Sequence, residues 1–352
     1  MTQPIKIQSF WMPLLALSGL TLFAYFASPI LVPLVSAFFF SFLFSPLVNV
    51  LRKLKFPHAL AVTVVMIFFL LAFLSAGWWG TDQLTQLVGK APQFQESLTK
   101  AAEQFAARLP AGAADYFPFL KDPQKWIPAF TPEQTAKMLQ FSFRGASSVA
   151  SFLGSVFLIY FLTFFMLLDK ESMQRRLTFF FGQENRATTS GILQKINRSL
   201  AGFLLAKTVL SAAVGVVLTL GFVIMGIPLP FLWGPLAAVL NWIPYLGSLI
   251  ALILTAGATF AAYGPTWHLP ALVIFFLVVQ TLEGNIIGPK ILETKVDLNS
   301  MAVLLSAIVW AWIWGFAGAL LAIPITAAFK VVCDHVEALQ PFGILLGSKK
   351  QS

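Results

Sequence analysis

Apolar positions along this chain run in blocks rather than in alternation. Five stretches carry no charge at all: 7–51, 56–81, 145–168, 208–282 and 298–329. Each exceeds the roughly 20 residues a helix needs to cross a bilayer, and none shows the in-out alternation of a barrel strand. The first stretch is too long for one helix and predicts a hairpin, 10–27 and 29–50, turning near Ser28 and Pro29. It is also much longer than a signal-peptide core and has no Ala-x-Ala site near Ser28, which favours retained helices. Further segments follow at 59–80, 147–168, 200–225, 231–263 and from 269 to 329, giving about eight in all.

Polar residues mark what lies between them. The segment 82–145 holds seven basic and six acidic side chains and predicts a small helical extramembrane insert. Phe94, Leu98, Ala101, Phe105 and Leu109 recur at helical spacing, Pro110 ends that helix, and a second helix starts at Thr131 with Pro132 and Glu133 in its first turn. The apolar stripe reads as a packing face. Residues 170–198, with Leu177, Phe180, Phe181, Ile192 and Ile196, read as amphipathic helices against the cytoplasmic surface.

The fold class is therefore all-α: a polytopic helical membrane protein in which two segments, 231–263 and 299–329, are broken or re-entrant. The expected organisation is an N-terminal three-helix region (1–81), the insert (82–145), a fourth helix with its cytoplasmic segment (146–199), a C-terminal transport region (200–332) and a cytoplasmic tail (333–352). Composition agrees. The 352 residues are 58% apolar and 11% charged, less than half the usual charge of a soluble protein, and the single cysteine, Cys333, excludes a disulfide scaffold.

A net charge of +9 suggests nucleic acid until the charges are placed. Segments read as cytoplasmic, with Arg52, Lys53, Lys55, Lys170, Arg175, Arg176 and Lys330 among them, carry 13 basic and 5 acidic residues. The excess is thus an orientation signal under the positive-inside rule, which puts both termini in the cytoplasm of a cell whose inner membrane the chain crosses repeatedly. The partners implied are the bilayer and a small polar solute; no nucleic acid, cofactor or metal is called for.

Candidate chemistry sits where the apolar runs are interrupted. Asn241-Trp242-Ile243-Pro244-Tyr245-Leu246-Gly247 breaks the segment 231–263, because Pro244 lacks an N–H and clashes with the preceding turn. Trp310, Trp312, Trp314, Gly315 and Gly318 interrupt the last run. Backbone freed in this way cannot face lipid, and paired broken segments in two halves point to a transporter's binding site. The Asn241–Gly247 break either lines a site or is a kink that shapes packing. Between the two breaks, Gln280, Glu283, Asn285 and Pro289 place a carboxylate and two amides near a membrane boundary. Glu283 either carries a proton, cation or solute, or sits at headgroup depth paired with Lys290 or Lys295. Lys207, eight residues into its helix, is expected to snorkel to the cytoplasmic surface, with a place along the path as the second reading.

At these residues the chain resembles the autoinducer-2 exporter family of bacterial multi-pass membrane proteins. The likeness covers nearly the whole length and is most specific at Gly226-Ile227-Pro228, the stretch 241–247, the stretch 285–289, and Trp312-Ile313-Trp314-Gly315-Phe316-Ala317-Gly318 followed by Ala322-Ile323-Pro324. It departs from the family pattern at Ser248 and Ser300, where prolines are common, at Lys207, where a glutamine is common, and at Glu293, where a glycine is common. The resemblance implies an exporter of a small polar signal such as autoinducer-2, used in quorum sensing. Sodium/proton exchange is the alternative, and a homo-oligomer with a moving transport unit is implied as well. Asn241, Gln280 and Asn285 are then solute ligands, Pro244, Tyr245, Gly247, Pro289, Trp314, Gly315 and Gly318 shape the path, and Glu283 is the coupling group for a proton or sodium ion. An intramembrane enzyme is disfavoured: His58, His268 and His335 stand far apart, no His-Glu-x-x-His or Gly-x-Ser-x-Gly occurs, and no residue is assigned as catalytic. A structural scaffold remains the reading in which helices run unbroken through 241–247.

Overall fold

The computed structural model describes residues 18–19, 21–89, 96, 99–100, 103, 146–170, 172, 186–288, 290, 298–335 and 339–347. The insert's helical stripe, the helix starting at Thr131, most of the segment 170–185, and Pro289, Glu293 and Lys295 lie outside them. Among the described residues every regular element is a helix: α1 (Ser28–Lys53), α2 (His58–Gly89), α3 (Ala146–Leu168), α4 (Arg186–Ile224), α5 (Pro230–Leu240), α6 (Leu246–Tyr263), α7 (His268–Leu282), a π-turn (Glu283–Ile287), α8 (Ser300–His335) and α9 (Gln340–Leu346). Seven helices are long and apolar enough to cross a membrane; α5 is shorter. The chain is thus an all-α polytopic membrane protein. Its surface agrees, since Phe26, Trp78, Phe157, Ile224 and Leu345 are among many large apolar side chains left exposed.

The chain divides into two compact units. The first comprises residues 1–66, 153–205 and 293–352. In it α1 and the start of α2 form a hairpin across 54–57, where Lys55 takes a positive φ of 69°. The C-terminal carbonyls of α3, left without helical partners, are met by His58, whose Nε2 lies 3.2 Å from Leu167 O and 3.3 Å from Leu168 O. Lys170, just past α3, donates to Ser45 Oγ at 2.8 Å and stands over the Phe42 ring.

The reversal expected at Ser28 and Pro29 is absent. Ala27 N–H donates to Phe23 O and Leu31 N–H to Ala27 O, so helical bonding continues across the junction. Pro29 lies in the first turn of α1, where a missing N–H is tolerated, and so bends the helix without turning the chain.

The last long run does turn back. Helix α8 is interrupted at Gly315, with φ 61° and ψ −140°, a conformation open only to glycine. A Cβ at Gly318 would collide with the Trp310 carbonyl, which lies far away along any straight helix. The two ends of α8 also meet at α9: Asn299 bonds Leu345 O and Gly347 O, and Gly343 packs on Cys333 and Asp334. Segment 299–329 is therefore a re-entrant hairpin.

The second unit comprises residues 67–152 and 206–292. Its core joins four helices: Val214, Leu218 and Phe222 from α4, Trp233, Ala237 and Leu240 from α5, Ala251 from α6, and Leu272, Phe276 and Val279 from α7. Their spacing of three and four residues puts each set on one helix face. Glycines let α4 and α5 approach closely, Gly215 against Ala238 and Gly234 against Thr219. Tyr263 Oη donates to Gly226 O, which brings the end of α6 back to the start of the α4–α5 connection. Segment 231–263 is thus a second hairpin, α5 descending and α6 returning. The 11-residue α5, about 16 Å long, is short of a hydrocarbon layer of about 30 Å, whereas the 18-residue α6 is about 27 Å long.

Candidate functional site

The tip of the α5–α6 hairpin is built from the residues the sequence marks. Pro244 and Leu246 are joined by a 2.6 Å bond from Leu246 N–H to Pro244 O, with Tyr245 between them at φ 58°, ψ −52°. This is a γ-turn of the strained, positive-φ kind. It reverses the chain so sharply that a Cβ on Gly247 would overlap the Leu240 carbonyl. Only glycine fits there. Tyr245 itself is exposed, whereas Asn241, at the C-terminal end of α5, is buried.

Asn241 points into a polar cluster. Its Nδ2 donates to Ser211 Oγ at 3.2 Å and to Glu283 Oε1 at 3.3 Å. The Lys207 ammonium donates to the same Glu283 oxygen at 3.2 Å. Lys207 and Ser211 lie four residues apart on α4 and so share a face, while Glu283 opens the π-turn after α7. All are buried: Lys207 is 9% exposed, Ser211 2%, Asn241 6% and Glu283 8%. Removing such charges from water costs several kcal/mol each, so they remain together only because each satisfies the other. The π-turn closes through Gly288 N–H to Glu283 O and needs glycine at 288, where a Cβ would crowd that carbonyl. Such turns recur at functional sites. Gln280, one turn earlier on α7, keeps a buried Nε2 with no partner.

The expectation for Lys207 is corrected here. Lys207 does not snorkel to the surface, because the hairpin tip closes over it and Glu283 offers a counter-charge. Glu283 pairs with Lys207 rather than with Lys290, which is exposed. Sequence reasoning does not single out Ser211; its signal is its place one turn from Lys207 on the same face. Asn285 lies exposed within the π-turn.

The remaining candidates belong to the first unit. Gly315 and Gly318 form the tip of the α8 hairpin, and Trp314 Nε1–H donates to Ala24 O at 2.9 Å. That carbonyl lies in the turn before the Pro29 bend, where helical bonds loosen and an oxygen can tilt outward. The neighbouring Trp310 ring packs on Trp314 with centroids 4.8 Å apart.

Two helical hairpins, one of them ending on a buried ion pair, set the chain apart from a bundle of plain spans. The chain also matches the family model described as AI-2E family transporter, over residues 14–338. It belongs to the AI-2E transporter family. Relatives within it include the AI-2 transport protein TqsA of Escherichia coli strain K12, 26% identical over 329 residues that cover 91% of this chain and 90% of that one. The putative transport protein YhhT of the same strain is 25% identical over 321 residues, covering 91% and 89%. The putative transport protein YrrI of Bacillus subtilis strain 168 is 25% identical over 314 residues, covering 87% and 86%. AI-2E membership makes this a multi-pass membrane protein of a transporter family, and the α5–α6 hairpin with its ion pair is one part of it where polar groups are held inside.

Proposed function

We propose that this protein is a secondary transporter, not an enzyme, that exports a small polar solute such as the autoinducer-2 signal through the broken helices of its C-terminal half. The observation that carries the reading is the buried cluster of Lys207, Ser211, Asn241 and Glu283 beneath the strained tip at Tyr245. Polar side chains at this depth replace water for a polar solute, and a hairpin that ends within the membrane gives that solute a short barrier. The relative named an AI-2 transport protein supports the choice of solute. Inner-membrane residence, cytoplasmic termini and a homo-oligomeric assembly complete the proposal.

The test is efflux. Cells that produce autoinducer-2 and lack other exporters for it should release it faster with this protein than without, and Asn241→Ala should remove most of the gain. Equal release in all three strains would eliminate that solute. A second reading, cation/proton antiport, rests on Glu283 as a buried ionisable carboxylate held by a buried lysine. Proton movement on sodium addition to proteoliposomes that Glu283→Gln leaves unchanged would count against it.

A further inference from the structure

In the polar cluster two donors converge on a single acceptor. Lys207 Nζ and Asn241 Nδ2 both converge on one carboxylate oxygen, and the amide of Gln280, one turn from Glu283 on the same helix, has an unused buried N–H group. A charged donor, an amide that must present its NH2 to a carboxylate, and a spare amide donor together describe a cradle for a carboxylate. Glu283 supplies that carboxylate from within the chain. We propose that Lys207, Asn241 and Gln280 form a binding site for the carboxylate of a small organic acid, that Glu283 fills this site at rest, and that the acid's anion enters only with a proton that neutralises Glu283.

The charge count requires the pairing. With Glu283 ionised the cluster is neutral; adding an anion alone leaves one buried negative charge, and adding a proton alone strands the Lys207 ammonium. Adding both restores neutrality: the proton goes to the Glu283 carboxyl and the solute's carboxylate takes over the ion pair with Lys207. Buried unpaired charge is the costly state, so the two events are coupled. No other described charge in this unit faces the cluster. α4 contributes Lys207 and Ser211, the tip Asn241, and the π-turn after α7 Glu283, while Tyr245 on the tip and Lys290 beyond the π-turn are exposed. Tyr263 and His268 stack at the far end of α6 and α7, and on α2 Asp82 lies a turn beyond Trp79, which packs on Phe231 at the hairpin's open end.

This inference rests on the transporter reading but takes organic acids, in place of autoinducer-2, as its substrate class, and the experiment separates the two. Thermal unfolding of the full-length protein in detergent is followed with sodium acetate, lactate or gluconate, against sodium chloride at equal sodium and against choline chloride. At least one carboxylate should raise Tm over chloride, more at pH 6 than at pH 8, with apparent affinity falling about tenfold per pH unit because one proton is taken up per anion. Glu283→Gln, which mimics the protonated side chain, should bind the same anion equally at both pH values. Lys207→Gln and the Lys207→Gln/Glu283→Gln double variant should lose the effect while still folding. No carboxylate-specific rise, a rise independent of pH in the wild type, a rise that survives Lys207→Gln, or a sodium-specific rise that grows with pH would each overturn the proposal. Uptake by proteoliposomes of the labelled form of whichever carboxylate raised Tm then divides the outcomes: binding without uptake sinks the transporter reading and leaves the site, whereas uptake indifferent to Lys207→Gln sinks the site and leaves the transporter.

Discussion

Glu283 Oε1 accepts two hydrogen bonds at once, from a lysine on one helix and an amide on the end of another, so a single oxygen ties α4, α5 and α7 together. Lys207→Met leaves the carboxylate buried without its partner and should lower stability by about 3–5 kcal/mol, whereas Lys207→Met/Glu283→Leu should recover most of that loss. Thermal unfolding of both variants checks it; equal losses would mean that the pair is not coupled. Lys170, outside the membrane helices, has its ammonium pushed down to about 8 by burial. A lysine whose folded value lies below its unfolded one binds fewer protons when folded, so stability should rise between about pH 8 and 10.5. Lys170→Met should flatten that rise in a pH series of unfolding temperatures. Asn241 and Glu283 are legible one by one, because a carboxylate and an amide are conspicuous in so apolar a region. Their meeting is not, since it depends on where the hairpin tip stops relative to α4. Lys207 is misplaced by sequence reasoning for the same reason: eight residues into a plain span a lysine reaches water, and only the folded tip denies it that route.

The two hairpins hold their shape by backbone geometry that few residues accept. Tyr245 sits at a positive φ with its ring exposed, so Tyr245→Gly should relieve strain and raise stability by about 1 kcal/mol, the ring having little packing to give up. Gly315→Ala should do the reverse, costing about 1–3 kcal/mol because its φ and ψ exclude a Cβ. Unfolding midpoints in detergent report both, and a stabilised Gly315→Ala would contradict the break described in α8. At this scale the sequence is informative about where helices break, since Pro244, Gly247, Gly315 and Gly318 all stand at the turns. It is less informative about what a break does. Pro29 looks much like Pro244 on paper, yet it falls in a first helical turn, where its missing N–H goes unnoticed and the chain only bends. Pro244 meets a positive φ at Tyr245 and a glycine two residues after that, and there the chain reverses.

Because both broken segments return to the side they enter from, neither changes the sense of the chain across the membrane. Under the proposed cytoplasmic placement of the basic turn at Arg52–Lys55, α2 would lead out, α3 in, α4 out and α7 in, which would leave Lys290 and the residues after α8 on the cytoplasmic side. Single cysteines placed at Thr266 should therefore react with an impermeant reagent from outside, and those at Lys55 and Lys290 should not, in a Cys333→Ala background. Outside labelling at Lys290 would require one hairpin to cross fully. The all-α membrane class is plain from the uncharged runs alone, while the count of true crossings needs the hairpins. The bend at Pro29 carries a further implication for movement. The Ala24 carbonyl beside it is occupied by the Trp314 indole, so the α8 tip can leave the bend only if water or another donor arrives as it goes. Hydration of that one oxygen is in effect a toll on the hairpin's departure, and Trp314→Phe, which leaves the carbonyl open at all times, should let the tip drift while its ring still packs.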